Sequence, residues 1–259
     1  MSAEAAATLR RLHQPGRPLV LPNVWDALSA RMVQEAGFPV VATSSDAVAA
    51  ALGFEDGEKA PVDQMFAAAE RIVRAVSVPV TVDVESGYQL EPEELVTRLV
   101  AVGAAGCNLE DTDHRTGRLV DVDEQARRLA AVRAAADRAG VPLVLNARVD
   151  VLLHAKITGD TRPESELVGE AVRRGRRYLE AGADCVYPIL ALEEETVRKL
   201  VDELPGPVNA LLSPQGPSLA TLAELGVARV SLGPYLFRAA EDWLRGELGN
   251  LSEQAGGDR

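Results

Sequence analysis

Short apolar runs recur along the chain and alternate with longer amphipathic segments. The apolar runs number eight and occupy residues 18–22, 39–43, 78–83, 105–110, 142–147, 183–188, 206–211 and 228–232. In the longer segments, apolar residues recur three and four positions apart, which is the spacing of one helix face. Examples are residues 62–76, 92–102, 122–139 and 164–181. Eight strands that alternate with helices predict an α/β fold, the (β/α)8 barrel of the TIM type. A doubly wound sheet is the alternative, but neither a G-x-G-x-x-G sequence nor a Walker loop supports it.

The length and composition fit a single domain. A barrel of this type has roughly 250 residues, and this chain has 259, of which 47% are hydrophobic. No linker rich in Pro and Ser divides it. We therefore expect one barrel domain over residues 1–245, followed at residues 246–259 by a polar, Gly-containing tail that is loosely ordered.

The charge balance and the distribution of apolar residues disfavour several classes of partner. The formal net charge of −12 repels nucleic acid and anionic membranes, and no basic patch with interleaved aromatic residues offsets it. The chain has no uninterrupted stretch of 18 apolar residues and no basic segment followed by an apolar one at its start, so we expect a cytoplasmic protein without a membrane anchor. Cys107 and Cys185 lie within apolar runs, which predicts buried free thiols.

Three of the apolar runs end in charged residues. Asp83 and Glu85 close one run, Glu110 closes the next, and Arg148 lies at the end of a third. If these strands are neighbours, their polar ends meet at the end of the barrel where active sites gather. An isolated ionised carboxylate is costly to bury, so the cluster implies a bound cation, a dense ion-pair network, or both. Mg²⁺ suits such a site, because it prefers oxygen ligands and usually keeps several waters.

Each of these residues also has a purely structural interpretation. The acids at residues 83–85 also occur in salt-bridged barrel rims, although the metal site is the favoured interpretation. The pair Glu110 and Asp111 is equally typical of a helix cap. Arg148 either orients a substrate carboxylate through two parallel hydrogen bonds or neutralises Glu110 and Asp150. Both roles are compatible with one another.

Small polar residues and histidines add weaker candidates. Ser44 and Ser45 follow the second run, a position suited to binding a carboxylate or to capping a helix. His114 lies in the polar stretch 112–117, where a histidine is either functional or merely solvated. His13 and His154 have no metal-ligand spacing to another His or Cys, and none of the three lysines lies in a predicted strand. A zinc hydrolase and a Schiff-base aldolase are therefore unsupported, which leaves metal-assisted chemistry.

Six short motifs occur in order along the chain: LPNVWDALSA at residues 21–30, ATSS at 42–45, DVESGY at 83–88, LED at 109–111, NAR at 146–148 and VSLG at 230–233. Together they resemble the isocitrate lyase and phosphoenolpyruvate mutase superfamily over residues 18–240. The resemblance implies a (β/α)8 barrel. It also implies dimers that exchange the last barrel helix, and the pairing of such dimers into tetramers.

The resemblance further implies roles for individual residues. It implies Mg²⁺ or Mn²⁺ held at Asp83, with two more acids in the surrounding shell, and Asp56 as a further acid near the metal. The candidate metal residues are Asp83, Glu85 and Glu110. The candidate substrate-binding residues are Ser44, Ser45, Asn146 and Arg148, and the candidate catalytic residues are Arg148, His114 and Asp56.

The loop after the fourth strand departs from the family pattern. Family lyases carry a Lys/Arg-Cys-Gly-His stretch there, whereas this loop is short and has no Cys. Family mutases follow Glu-Asp with Lys, whereas this chain has Thr112 and then His114 and Arg115. We therefore take His114 as the candidate proton donor in place of the missing Cys, with Tyr88 or a metal-bound water as alternatives. The polar segment 112–119 is expected to be a mobile lid.

Three functional hypotheses remain. The first is a Mg²⁺-dependent lyase that cleaves a C–C bond in a small 2-hydroxy or 2-oxo carboxylate through an enolate. The second is P–C chemistry, in a phosphonopyruvate-type mutase or hydrolase. The third is a non-catalytic barrel that binds a metabolite or a partner. For the first, the expected partners are a small carboxylate substrate and further copies of the chain, in a homodimer or homotetramer.

Overall fold

Eight parallel strands form the centre of the protein. The computed structural model describes residues 2–256, and each of the eight predicted apolar runs contains a strand. In chain order the strands are Leu19–Leu21 with its continuation Asn23–Val24, Val41–Thr43, Val80–Asp83, Gly106–Glu110, Val144–Val149, Cys185–Pro188, Asn209–Leu211 and Arg229–Ser231. We refer to them as the first to the eighth barrel strand. The predicted (β/α)8 fold is confirmed.

Hydrogen-bond pairing closes these strands into a ring. The continuation Asn23–Val24 pairs with the second strand, and pairing then runs in chain order to the sixth. The seventh and eighth strands pair with each other, and the eighth pairs with Leu19–Leu21. A bridge between Val186 and Val208 joins the sixth strand to the start of the seventh. Pro22 divides the first strand because it has no N–H group to donate to a neighbour.

Helices lie between the barrel strands along the chain and at both of its ends. They are Ser2–Arg11, Ala27–Glu35, Ser45–Ala51, Val62–Ala75, Pro92–Val102, Val122–Arg138, Val151–Thr158, Glu164–Glu180, Glu194–Glu203, Leu219–Glu224 and Tyr235–Gly256. The helix Pro92–Val102 shows how the sequence defines them. It begins at a proline, whose missing N–H needs no partner in the first turn, and it buries Leu95 and Leu99 on one face. It ends at Gly103, whose φ of 83° is left-handed and favours glycine.

The N-terminal helix Ser2–Arg11 covers the end of the barrel where the strands begin. Leu9 is fully buried and packs among apolar residues from the starts of the strands, including Leu19 and Val144. Arg10 binds Asp184, which directly precedes the sixth strand, with an Nε to Oδ1 distance of 2.8 Å. The sequence pattern did not predict this helix. The opposite end, where the strands finish, carries the charged residues.

The C-terminal segment differs from the sequence expectation. Residues 246–256 continue the helix Tyr235–Gly256, so a loosely ordered tail from residue 246 is wrong for that part, and residues 257–259 lie outside the described residues. The physical reason is that Leu244, Leu248 and Leu251 recur at helical spacing, which outweighs the cost of two glycines. Within residues 2–256, neither this helix nor any other is both long and apolar enough to cross a membrane.

The two cysteines lie in the interior as predicted. Cys107 and Cys185 are fully buried on the fourth and sixth strands, and both are free thiols. Burial raises the pKa of each thiol to about 12, because the charged thiolate would lose its hydration. Neither thiol is a nucleophile in this environment.

Candidate active site

The charged ends of three neighbouring strands meet at the mouth of the barrel. Asp83 lies opposite Asn108 in the register of the third and fourth strands, and Glu110 lies opposite Arg148 in the register of the fourth and fifth. The alternation of side chains along these strands had predicted this meeting. The acidic and basic residues that the sequence singled out therefore belong to one site.

The second strand and the helix after it hold Asp83 in place. Asp83 Oδ2 accepts hydrogen bonds from the Ser45 backbone N–H at 3.2 Å and from the Ser45 hydroxyl at 3.1 Å. The Asp83 backbone N–H donates to Thr43 Oγ1 at 2.8 Å. Ser44 caps the helix Ser45–Ala51, with its hydroxyl accepting from the Ala47 N–H at 3.5 Å. The structural interpretation of Ser44 therefore holds, while Ser45 faces the metal candidate Asp83.

Glu85 begins a tight turn that follows the third strand. Its backbone has a φ of 49°, and its carboxylate is 2% exposed. Glu85 Oε1 accepts from the Tyr88 hydroxyl at 3.0 Å, and Oε2 accepts from the backbone N–H of Glu58. Burial and the nearby charge of Asp56 raise the pKa of Glu85 to about 7. Hydrogen bonds thus fix the position of this carboxylate, while burial and the neighbouring acids disfavour its charged form.

Glu110 lies between two cationic side chains. His114 Nε2 is 2.5 Å from Glu110 Oε1, and Arg148 Nη2 binds Glu110 Oε2. His114 Nε2 is also 3.9 Å from Glu85 Oε2. Burial opposes the charged form of His114, but the hydrogen bond and charge of Glu110 outweigh it and raise the pKa of His114 to about 9. The sequence left open a merely solvated His114, and the structure shows instead a histidine inserted among the acids.

One edge of the Arg148 guanidinium binds the carboxylate of Asp150 through two hydrogen bonds. Nε donates to Asp150 Oδ1 at 2.7 Å and Nη2 donates to Oδ2 at 3.0 Å, while Nη2 also meets Glu110. Burial opposes its charge, but Asp150 and Glu110 raise the pKa of Arg148 well above the ordinary value. The edge that would bind a substrate carboxylate bidentately is therefore occupied. Nη1 makes no hydrogen bond within the described residues and is the donor that remains for a substrate oxygen.

A buried network behind Arg148 was not anticipated from the sequence. Asp111 Oδ1 accepts from the Asp150 backbone N–H at 2.8 Å, and Oδ2 accepts from Arg174 at 3.0 Å and from the Tyr178 hydroxyl at 2.7 Å. Thr112 Oγ1 donates to Asp150 Oδ2 at 2.6 Å. Burial and the charge of Asp150 raise the pKa of Asp111 to about 6. Arg174 lies 63 residues from Asp111 on the helix Glu164–Glu180, and no local pattern indicates the pairing.

Asn146 lies in a polar layer beneath the mouth. It is fully buried, and its Nδ2 donates to Asn108 Oδ1 at 2.8 Å. The same oxygen accepts from Arg229 Nη2 at 3.0 Å, so the Arg229 side chain reaches from the eighth strand to the fourth across the barrel interior. Burial lowers the pKa of Arg229. Asn146 therefore contacts Asn108 within the described residues. Its contact with substrate remains a prediction.

Asp56 stands on the loop above the acids. The residue is solvent-exposed as a whole, yet partial loss of hydration and the charge of Asp83 raise the pKa of its carboxyl. Arg148 opposes that shift. The charges of Asp83 and Arg148 therefore both act on Asp56, and its role as a further acid near a metal remains a prediction.

A cavity of about 320 Å³ adjoins Glu110 at the edge of the site. It lies between the turn after the third strand and a hairpin formed by Thr112–Asp113 and Arg118–Leu119. Ser86, Glu110 and Arg115 are among the residues that line it. The hairpin occupies the segment predicted to be a lid, and its movement remains a prediction.

The donor set fits a hard divalent cation that keeps part of its water shell. Within residues 2–256, no group of three or more His, Cys, Asp or Glu side chains is arranged to enclose an ion. Mg²⁺ does not require such a cage, since one or two carboxylates and several waters suffice. Asp56, Asp83 and Glu85 repel one another, as the raised pKa values of Asp56 and Glu85 show. A cation near Asp83 would relieve that repulsion.

Comparison with known proteins gives consistent results. The model of the phosphoenolpyruvate phosphomutase family matches residues 9–251. An uncharacterized protein of Mycobacterium tuberculosis is 34% identical over 229 residues, which cover 86% of this chain and 81% of that protein. A Burkholderia cenocepacia crystal structure, provisionally named a phosphonomutase, has 46% identity and a TM-score of 0.88, covering 95% of this chain and 99% of that one. A crystal structure of 2,3-dimethylmalate lyase has 28% identity and a TM-score of 0.82, covering 96% and 87%.

Proposed function

Because the chain belongs to the phosphoenolpyruvate phosphomutase family, we propose that it is a Mg²⁺- or Mn²⁺-dependent lyase. Its reaction would cleave a C–C bond in a small 2-hydroxy or 2-oxo carboxylate through an enolate. The observation that carries the proposal is the cluster of Asp83, Glu85 and Glu110 at the barrel mouth, faced by Arg148. Carboxylates arranged beside cationic donors suit an anionic substrate that binds with a metal.

The residues of the chain divide the work between them. Asp83 would hold the metal, with Glu85 and Glu110 in the shell around it. When bound, the metal supplies electrostatic stabilisation of the negative charge that develops as the bond breaks. Arg148, fixed by Asp150, offers Nη1 to a substrate oxygen. His114 Nε2 lies between Glu110 and Glu85, and a proton held there would suit His114 to protonate the enolate.

P–C chemistry is the second candidate, and the Burkholderia structure favours it. The segment after Glu110 departs from both patterns, since it lacks the cysteine of the lyases and the lysine of the mutases, but His114 offers the lyase reaction a proton donor. The 2,3-dimethylmalate lyase shares the fold over 96% of this chain. We therefore rank cleavage of a C–C bond first.

A metal-supplemented substrate screen tests the proposal. We would incubate the chain with Mg²⁺ or Mn²⁺ and short dicarboxylates, 2-oxo acids and phosphonates, and follow products by chromatography and phosphorus NMR. Cleavage of a 2-hydroxy or 2-oxo acid into two carbon fragments is the expected result. Turnover of a phosphonate would favour the second candidate. Thermal stabilisation by a ligand without turnover would support a non-catalytic barrel.

Asp83→Asn tests the metal assignment separately. The variant removes a charged ligand from an acid cluster, so it should fold normally and lose Mg²⁺ binding in calorimetry. Asp63→Asn is the matched control, because Asp63 is an exposed acid paired only with Arg98. Unchanged Mg²⁺ affinity in Asp83→Asn would remove Asp83 from the metal site.

We also propose that two copies exchange their C-terminal helices, in dimers that can pair further into tetramers. Residues 242–255 are exposed throughout, so this part of the helix does not pack on its own barrel. Trp243, Leu248 and Leu251 are 68%, 56% and 58% exposed, and such an apolar stripe is typical of an interface.

The double variant Leu248→Glu with Leu251→Glu should give monomers in light scattering, whereas the polar control Gln254→Glu should not. Dimers of the double variant would contradict the exchange.

A further inference from the structure

Unusual backbone conformations are concentrated in two loops at the barrel mouth. Among residues 2–256, five non-glycine residues have a positive φ, and four of them lie here: Glu58 at 59°, Glu85 at 49°, Tyr88 at 53° and Gln89 at 57°. Such conformations are costly for residues with a side chain and persist only where the surroundings enforce them. The loop that carries Glu58 follows the helix Ser45–Ala51, and the turn of residues 85–89 follows the third strand.

Glu58 is the residue that joins the two loops. Its Oε1 accepts from the Ser86 hydroxyl at 2.5 Å and from the Tyr88 backbone N–H at 2.6 Å. Its own backbone N–H donates to Glu85 Oε2. The Tyr88 hydroxyl donates to the other oxygen, Glu85 Oε1, at 3.0 Å. The bonds therefore form a closed circuit that runs from Glu58 through Tyr88 to Glu85 and back.

The turn is also fixed from below. Gly87 has a φ of 94°, and a Cβ at this position would lie 2.6 Å from Arg128 Nη2. Arg128 Nη2 donates to the Leu90 carbonyl at 3.3 Å, at the end of the same turn. With Arg128 beneath the turn and Glu58 beside it, Glu85 has little freedom to adopt another position.

We propose that Glu58 is a positioning residue that holds Glu85 in the geometry of the metal site. The expected effect on metal binding rests on the proposed metal-dependent function. The hydrogen-bond circuit that holds Glu85 does not depend on it. Both bonds from the turn end on one oxygen of Glu58, so the proposal requires an acceptor at that distance and does not require a negative charge. Groups around a metal site that orient its carboxylates typically alter metal affinity 10- to 100-fold when removed.

Two variants separate the effect of the length of the Glu58 side chain from the effect of its negative charge. Glu58→Gln keeps the side-chain length and one carbonyl oxygen, which is enough to accept from both Ser86 and Tyr88. Glu58→Asp keeps the charge but is one methylene shorter, so it cannot make both bonds. Glu55→Gln and Glu55→Asp are the matched controls, because Glu55 is an exposed acid on the same loop with no hydrogen bond to the turn.

Hydrogen exchange and Mg²⁺ calorimetry on the full chain provide the two measurements. In Glu58→Asp, the Tyr88 amide should exchange roughly tenfold faster, since it loses its acceptor, and Mg²⁺ should bind about 10- to 100-fold more weakly. Glu58→Gln should stay within about threefold of the wild type in both, as a neutral acceptor suffices.

The opposite ranking, with Glu58→Gln impaired and Glu58→Asp normal, would show that charge matters and would overturn the proposal. Wild-type exchange and affinity in both variants would overturn it as well. If the wild-type chain binds no divalent metal, the proposed function fails, while the Tyr88 exchange rates still decide whether Glu58 holds the turn.

Discussion

Burial of His13 should make folding stability fall between neutral and acidic pH. His13 follows the N-terminal helix and is 8% exposed. Its Nδ1 lies 2.8 Å from the Leu9 carbonyl oxygen, and its Nε2 has no hydrogen-bond partner within the described residues. Burial and the charge of Arg229 lower the pKa of His13 from 6.5 to about 4, against opposing contributions from that carbonyl and from Asp184.

The sign and size follow from proton linkage. Above pH 6.5 His13 is neutral in both the folded and the unfolded chain, so it imposes no penalty. As the pH falls below that value the unfolded chain binds a proton that the folded chain does not, and stability declines until about pH 4. The pKa difference between 6.5 and about 4 corresponds to about 3 kcal/mol in full. Of this, about 2 kcal/mol should appear between about pH 7.5 and pH 5.

His13→Asn isolates this contribution, because asparagine places an amide N–H near the position of Nδ1 but does not titrate. Urea unfolding followed by circular dichroism at several pH values gives the free energy of unfolding for wild type and variant. Their difference should change by about 2 kcal/mol over that range in favour of the variant at low pH. Gln14→Asn, at the exposed neighbouring position, should follow the wild type. A difference that stays constant from pH 7.5 to pH 5 would refute the reasoning.

Three further predictions concern the site. Arg148→Lys should lower kcat/KM by roughly 30- to 1,000-fold, about 2 to 4 kcal/mol, because a point-like ammonium cannot reproduce the two parallel hydrogen bonds that the planar guanidinium makes to Asp150; steady-state kinetics with turnover near wild type would show that Arg148 is only a counter-ion. His114→Gln should slow turnover by roughly 10²- to 10⁴-fold with little change in Mg²⁺ affinity and remove one limb of the pH–rate profile; an unaltered profile would exclude it as the proton donor. Limited proteolysis should cut within residues 112–119, with a carboxylate inhibitor plus Mg²⁺ suppressing the cut; equal protection with and without ligand would count against a lid.

The sequence by itself determined the architecture and the composition of the site. The alternation of apolar runs with helical patterns located all eight strands, because burial on both faces forces short strands to be continuously apolar. It also located Asp83, Glu110 and Arg148 at strand ends, and parallel strands bring their ends together. These features depend on local periodicity, which a single sequence displays.

The tertiary structure decided which partner each charged side chain meets. Arg148 hydrogen-bonds to Asp150 through one edge of its guanidinium, and Asp111 accepts from Arg174 on a helix distant in the sequence. Glu58 connects two loops through its hydrogen bond to Tyr88. Such pairings depend on strand register, loop conformation and the cost of leaving a buried charge unpaired. Those quantities exist only once segments far apart in the chain have been brought together, so a local pattern of residues does not encode them.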